Sequence, residues 1–142
     1  MSESPPAGYH SVTPYAVVDD ADKTIEFMEK VFEATVRERM QGPDGRVAHA
    51  EVRIGDSLIM LSSATPDYPR FPMMVHLYLP DVDATYAAGL EAGATSLREP
   101  ADQFYGDRSG GFEDQDGNQW WLATRFEDVS TEEMVRRLEA AE

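Results

Sequence analysis

Two side chains in the first half of the sequence have the types and spacing of an acid–base pair. His49 and Glu51 lie two residues apart in a segment, Val47 to Ile54, in which polar and apolar residues alternate. Because side chains two apart in a strand point to the same face, the imidazole and the carboxylate should be neighbours. A histidine held by a carboxylate is suited to general-base chemistry. The alternative is a solvent-facing strand edge on which Arg53 balances Glu51.

A second histidine, His76, lies in the apolar segment Val75 to Leu79. One interpretation places His76 in the wall of a ligand cavity. Another joins it with His49 and Glu51 in a divalent metal site, since imidazole and carboxylate groups are common metal ligands. A lone histidine in an apolar strand is more often a lining residue than a ligand, so the lining role is the primary prediction.

The segment from Gln103 to Phe112 is rich in aromatic, glycine and charged residues. Phe104 is a candidate for a pocket wall, and the guanidinium of Arg108 is suited to hold a ligand carboxylate or phosphate in a bidentate manner. An internal ion pair is the competing interpretation for Arg108. The nearby carboxylates are those of Asp107, Glu113 and Asp114. No glycine here leads from a strand into a helix, so a nucleotide-binding loop is not predicted.

Trp120 and Trp121 are adjacent in the strand that closes the second half of the chain. Their side chains must point to opposite faces of that strand. We predict Trp120 in the core and Trp121 on the opposite face, where an aromatic ring suits stacking on a flat organic ligand.

These residues are positioned by an order of elements that occurs twice. Residues 9–63 predict a strand, a helix and three strands, and residues 73–127 repeat that order. The halves align at an offset of 61 over the first strand, which places Tyr15 on His76, and at an offset of 60 after the helix. Such self-similarity indicates a duplicated module. We expect a flexible N-terminal segment over residues 1–8 and a C-terminal helix within 128–142, opened by a capping box from Ser130 to Glu133.

Composition narrows the function classes. The chain has 142 residues, no cysteine and a formal net charge of −15. An acidic surface argues against nucleic acid and anionic membranes as partners, and no stretch approaches the ~20 apolar residues of a membrane helix. The absence of cysteine excludes disulfides and thiolate sites. These features favour a soluble, cytoplasmic protein.

The duplicated βαβββ pattern resembles the vicinal oxygen chelate superfamily, which contains glyoxalase I, bleomycin resistance proteins and extradiol dioxygenases. Three segments carry the resemblance, and they are similar to the glyoxalase-like branch that includes the PhnB-type proteins. The segments are Val17 to Asp20, His49 to Asp56, and Phe104 to Thr124. It implies an α+β fold in which two βαβββ modules form a curved, cup-like mixed sheet, and by analogy a homodimer.

The resemblance also implies positions for a divalent metal in the cup. Carried over by alignment, those positions hold residues that do not suit a hard divalent ion: Thr13, Met60, Met74 and Trp121. No metal or other cofactor is therefore predicted. The cup is instead expected to be lined by Tyr15, Met60, His76, Phe104, Arg108 and Trp121.

Three functions follow as hypotheses. The leading one is the binding of a small aromatic organic molecule in a cup without the usual metal ligands. The second is a metal-dependent lyase or dioxygenase that uses a displaced site of His49, Glu51 and His76. The third is a non-catalytic stress or partner-binding protein whose interface is the C-terminal helix.

Overall fold

Two helices lie between two four-stranded sheets in the computed structural model, which describes residues 3–141. The strands and helices in chain order are β1 Tyr15–Val18, α1 Ala21–Phe32, β2 Thr35–Gln41, β3 Val47–Ile54, β4 Ser57–Ser63, β5 Met74–Tyr78, α2 Val82–Glu91, β6 Thr95–Asp102, β7 Asp107–Glu113, β8 Gln119–Arg125 and α3 Thr131–Ala140. This order confirms the predicted α+β fold of two βαβββ modules followed by a short C-terminal helix.

The two sheets have the same topology. Sheet A has the strand order β1-β4-β3-β2, and sheet B has the order β5-β8-β7-β6. In each sheet the first strand of the module pairs in parallel with the last strand, and the remaining pairs are antiparallel. The module therefore starts and ends side by side, and its first strand is left at the edge of the sheet.

Aspartates start the first two helices. The carboxylate of Asp20 accepts a hydrogen bond from the Lys23 amide at the start of α1, and that of Asp81 accepts one from the Ala84 amide at the start of α2. These bonds satisfy amide groups that have no partner within the helix. Gly93 has φ +103° after α2, as expected for a glycine that follows a helix.

The core lies between the sheets, around α1. The Phe32 ring of α1 contacts the Trp120 ring of β8 with centroids 4.8 Å apart, and Phe27 meets Phe112 of β7 edge-on at 5.8 Å. Trp120 and Phe112 have no exposed surface. The helix-side faces of both sheets thus share one core, and the opposite face of each sheet lies away from α1 and α2. We call these opposite faces the open faces of sheet A and sheet B.

Both modules contain a β-bulge at the same place. In sheet A the register shifts between Val36 and Glu38, which pair with Val52 and Glu51. In sheet B it shifts between Ser96 and Arg98, opposite Phe112 and Gly111. Because one extra residue reverses the alternation of side chains, the bulges bring Glu38 and Arg98 to the open faces. The duplication thus extends to this irregularity.

The N-terminal segment crosses the open face of sheet A. Arg37 Nη1 donates to the Ala7 carbonyl at 2.6 Å, and the Arg37 guanidinium lies 5.3 Å from the centroid of the Tyr9 ring. Residues 1–8 were predicted to be flexible. Met1 and Ser2 lie outside the described residues, whereas Ala7 and Gly8 contact sheet A.

The C-terminal helix α3 is attached by polar contacts. The Glu133 amide donates to the Ser130 hydroxyl at 3.2 Å, as the capping box requires. The Glu133 carboxylate binds Arg136 and Arg137. No residue of α3 is buried, and Val135 and Leu138 are 49% and 48% exposed. Within residues 3–141, every helix is too short or too polar to cross a membrane.

Candidate functional site

The predicted acid–base pair forms on the open face of sheet A. His49 Nε2 and Glu51 Oε2 are 3.2 Å apart, and both side chains are partly buried. Glu51 pairs with Met60 on β4, and Met60 pairs with Tyr15 on β1. The Tyr15 and His49 rings lie 6.2 Å apart. The alternation of β3 therefore places the imidazole and the carboxylate as the sequence predicts.

Tyr9 covers this pair. Its hydroxyl oxygen is buried beside the Glu51 carboxylate without reaching full hydrogen-bond geometry with any described group. Burial, followed by the nearby Glu51 charge, raises the pKa of the Tyr9 phenol to about 12. The Tyr9 hydroxyl in turn lowers the pKa of the Glu51 carboxyl, and His49 acts in the same direction. Sequence analysis did not identify Tyr9, because nothing in the N-terminal segment indicates where it lies.

An aromatic surface lies on the open face of sheet B. Trp121 pairs with His76 on β5 and with Gly111 on β7. A Cβ atom on Gly111 would come within 2.6 Å of Trp121 Cε3, so the indole lies flat against the glycine. The guanidinium of Arg98 lies 5.2 Å from the indole centroid. We call this arrangement of His76, Trp121, Gly111 and Arg98 the Trp121 platform.

Arg98 is a residue that sequence analysis missed. Simple alternation along β6 from Ser96, which faces the helices and hydrogen-bonds Tyr86, would turn Arg98 toward the helices as well. The bulge between Ser96 and Arg98 reverses this orientation. No signal in the sequence of β6 alone marks the bulge. The matching bulge in β2 is the only internal guide, and it too is visible only in the structure.

Next to the Trp121 platform, a buried carboxylate holds two open-face side chains of sheet B. Asp107, with 1% of its surface exposed, accepts hydrogen bonds from the Tyr78 hydroxyl at 3.1 Å and from Arg125 Nε at 2.8 Å. His76 meets the Tyr78 ring edge-on at 5.1 Å. These contacts fix Tyr78 at the end of β5 and use the charge of Arg125 within the protein.

Arg108 was predicted to hold a ligand, and the structure places it elsewhere. Its Nε and Nη2 atoms bind both carboxylate oxygens of Asp83, at 2.8 and 3.0 Å, and Nη1 binds Asp102 at 3.2 Å. The competing interpretation, an internal ion pair, is the observed one, although the expected partners Asp107, Glu113 and Asp114 were wrong. Arg108 lowers the pKa of the Asp83 carboxyl, and its alternation with Ser109 turns it away from the Trp121 platform.

Phe104 lies in the loop between β6 and β7, at the end of sheet B. Its ring packs edge-on against Tyr105 with centroids 5.2 Å apart, and its carbonyl accepts a hydrogen bond from Arg137 of α3 at 3.1 Å. Phe104 thus helps to anchor the C-terminal helix. Nothing in these contacts joins it to the other predicted pocket residues.

The predicted residues fall into two groups within one chain. Tyr15, His49, Glu51 and Met60 belong to sheet A, whereas His76 and Trp121 belong to sheet B. Across residues 3–141 there is no group of three His, Cys, Asp or Glu side chains arranged to hold a metal ion. The position that the superfamily pattern assigns to a ligand is occupied by Trp121, whose indole nitrogen donates to Gln119 Oε1 at 3.1 Å. An indole N–H is a donor only, so Trp121 does not suit a divalent metal at this position.

Two hollows accompany these faces. A cleft of about 750 Å³ runs along β5, between the modules, and includes His76 and Tyr78 in its wall together with Leu58 of β4. A smaller crevice of about 190 Å³ lies at the seam between α1 and the turn before β8. The crevice contains none of the predicted site residues, and it lies where Thr24 donates to Asp116 at 2.5 Å. The cleft is therefore the hollow that adjoins the candidate site.

Comparison with known proteins identifies relatives over most of the chain. Residues 9–122 match the family model described as the glyoxalase/bleomycin resistance protein/dioxygenase superfamily. An uncharacterised protein of Mycobacterium bovis is 35% identical over 135 residues, which covers 87% of this chain and 89% of that protein. An uncharacterised protein of Mycobacterium tuberculosis is equally similar and is covered over 79% of its length.

Solved structures have the same fold. TioX from Micromonospora sp. ML1 superposes with a TM-score of 0.66 at 20% identity, covering 81% of this chain and 99% of TioX. TnmS3 from Streptomyces sp. CB03234, described as an antibiotic binding protein, gives 0.62 at 25% identity, covering 79% of this chain and 92% of TnmS3.

Proposed function

The chain belongs to the glyoxalase/bleomycin resistance protein/dioxygenase superfamily, and on that basis we propose that it binds a small aromatic organic molecule on the Trp121 platform. One observation carries this proposal. The indole of Trp121 lies flat over Gly111 on the open face of sheet B, at the position where the superfamily pattern expects a metal ligand. A flat, half-buried indole offers area and quadrupole for an aromatic ligand. The likeness to TnmS3, described as an antibiotic binding protein, supports a binding function for the open face.

The ligand cavity requires a second wall. The two open faces of one chain lie on opposite sides of the shared helix layer, so one chain does not bring them together. We therefore propose a homodimer in which the open face of sheet A in one subunit covers the open face of sheet B in the other. The exposed apolar side chains on the open face of sheet B support this arrangement, since Met74 is 70% and Tyr78 is 62% exposed.

A calorimetric titration with 1-naphthamide as a flat, neutral probe tests the binding proposal. Trp121→Ala should weaken binding by about tenfold or more, because losing an aromatic contact of roughly 1.4 kcal/mol changes a dissociation constant tenfold. Trp121→Phe keeps an aromatic ring and should retain most of the affinity. The exposed linker variant Tyr68→Ala is the matched control. Unchanged affinity in Trp121→Ala would reject the platform.

One observation favours a second candidate function. His49 and Glu51 are in contact at 3.2 Å, and in the proposed homodimer they would face His76 of the partner subunit. This is the metal-dependent lyase or dioxygenase with a displaced site. It predicts about one equivalent of metal per chain in protein purified without chelators or affinity tags, lost in His76→Ala. A metal-free protein that stays metal-free after incubation with zinc, nickel, manganese or iron would reject it.

Two finer assignments are proposed from the sequence. The place of this chain beside the PhnB-type proteins stays a prediction. A partner-binding role for α3 rests on its half-exposed apolar residues, Val135 and Leu138, and is tested with the whole molecule below.

A further inference from the structure

Resting on the proposed function, we propose that the ligand of the Trp121 platform carries a carboxylate and that Arg98 is the residue that receives it. The site is the same, but the chemistry of the ligand is now specified.

The bulge in β6 puts Arg98 where a ligand on the indole would meet it. Arg98 pairs with Gly111, and Gly111 pairs with Trp121, so the three residues lie in one row across the open face. The indole reaches over the glycine toward the guanidinium, 5.2 Å from the ring centroid to Cζ. Contact with an aromatic face orients a guanidinium plane, so Arg98 is held over the indole at the edge of the sheet.

Most of the hydrogen-bonding capacity of Arg98 is unused. Its guanidinium has five N–H donors, and its one side-chain bond goes from Nη2 to the hydroxyl of Ser109. Throughout the described part of the chain, no carboxylate lies within ion-pair distance of Arg98. By contrast, Arg125 on the same face binds buried Asp107 at 2.8 Å. Arg98 is therefore the cation on this face that retains its charge and its planar fork for a ligand.

The surrounding charges make this cation selective. Glu113 lies on the same face, two residues along β7 from Gly111 and opposite Gln119. Among the described residues it forms no ion pair with Arg98. The chain as a whole carries a net charge of −15, so an anion is repelled by the general surface and attracted locally. A carboxylate matches the guanidinium fork with two parallel hydrogen bonds. An aromatic carboxylate satisfies both Trp121 and Arg98, which neither a neutral nor a cationic aromatic compound does.

Three probes of the same size and different charge test this inference by calorimetry on the full-length protein. They are 1-naphthoate, 1-naphthamide and 1-naphthylmethylammonium. The wild-type protein should bind 1-naphthoate about tenfold more tightly than 1-naphthamide, because a charge-assisted bidentate contact contributes on the order of one factor of ten. Raising the salt concentration should weaken the binding of 1-naphthoate and leave that of neutral 1-naphthamide nearly unchanged.

Arg98→Gln should remove this preference. We expect about a tenfold loss for 1-naphthoate with a change within about threefold for 1-naphthamide. Arg98→Lys keeps the charge but not the fork, and should give an intermediate loss for 1-naphthoate. Arg136→Gln, at an exposed arginine of α3, is the matched control and should behave as the wild type. Arg98 is exposed, so the variants should fold, and circular dichroism verifies this.

Each outcome decides one question. Equal affinity of the wild type for the three probes, tightest binding of the ammonium, or equal loss of all probes in Arg98→Gln overturns the inference and leaves the proposed function standing. Failure of the wild type to bind any of the three probes counts against the proposed function itself.

Discussion

At the scale of single residues, two neighbours in sequence illustrate how environment assigns a role. Trp120 has no exposed surface, and its indole nitrogen donates to buried Asp114 at 2.9 Å. Trp121 lies one residue later, on the open face over Gly111. The alternation of a strand suffices to predict this difference from the sequence. The platform, however, depends on the glycine opposite, which the sequence does not identify as its partner.

Substitution of Gly111 tests the platform without removing the indole. A methyl group there would approach Trp121 Cε3 within 2.6 Å, so Gly111→Ala should tilt the indole and weaken 1-naphthamide binding by about tenfold. Because Trp121 is partly exposed and can move, the free energy of unfolding should fall by less than in the control.

The control is Gly89→Ala, where the added methyl group would overlap the buried Phe112 ring. Overpacking there should lower the free energy of unfolding by about 1–3 kcal/mol, measured by urea denaturation. A larger loss of stability for Gly111→Ala than for Gly89→Ala would contradict this assignment.

Tyr9 should be recognisable in a pH titration. Burial and the Glu51 carboxylate raise the pKa of its phenol to about 12 from 10.0. The neutral phenol is favoured in the folded state, so its contribution to stability is complete below pH 10.0 and is lost as the pH rises toward about 12. Ultraviolet absorbance of phenolate should show a late transition that belongs to Tyr9.

Tyr9→Phe should remove the late transition, while Tyr68→Phe, at an exposed tyrosine, should leave it in place. If the late transition persists in Tyr9→Phe, Tyr9 does not occupy the site described.

At the scale of elements, α1 connects the two modules. Phe32, at its C-terminal end, is 8% exposed and touches Trp120 and Phe112 of sheet B. Phe32→Ala should therefore lower the free energy of unfolding by about 3–5 kcal/mol, since a large side chain is removed from a shared core. Phe126→Ala, at a half-exposed phenylalanine, should have a small effect. Separate thermal transitions for the two modules in wild-type protein would show that the core is not shared.

The elements themselves were largely predictable. Helix α1 was predictable as a helix, because Ile25, Met28 and Phe32 recur at helical spacing after an aspartate cap. The bulges in β2 and β6 were not predictable, since each depends on pairing with a neighbouring strand. This limit explains the site as well. His49, Glu51 and Trp121 lie on the strands that the sequence predicts. Arg98 was not predicted, and Arg108, which was predicted to hold a ligand, forms an internal ion pair with Asp83.

At the scale of the whole molecule, the proposed pairing of open faces can be tested by the mass of the protein in solution. The wild-type protein should behave as a dimer in light scattering. Met74→Arg places a charge on an exposed position of the sheet B open face, and it should shift the protein to monomer without altering its circular dichroism spectrum. Lys23→Glu, at the inter-module crevice on the helix side, is the control. A monomeric wild type would reject the dimer.

Removal of residues 131–142 tests the partner-binding role of α3. The helix has no buried residue and is held through Arg137 to Glu127 and to the Phe104 carbonyl. If the dimer forms through the open faces, the truncated protein should still be a dimer, and its unfolding midpoint should be nearly unchanged. Loss of the dimer on truncation would instead assign the interface to α3.

The sequence could predict two modules and a cup because a duplicated pattern and a family resemblance act over the entire length. It could not predict how the modules pack. That arrangement depends on contacts such as Phe32 with Trp120, which join residues 88 positions apart through shape alone.

The repeated bulge carries opposite charges in the two modules, with Glu38 at one position and Arg98 at the equivalent one. The two modules share one architecture but carry opposite charges at the equivalent bulge position. A cavity closed by the open face of sheet A and the open face of sheet B has an acidic wall and a basic wall. The two walls interact differently with the polar end of a bound molecule, so the enclosed compound would be held in one orientation rather than two.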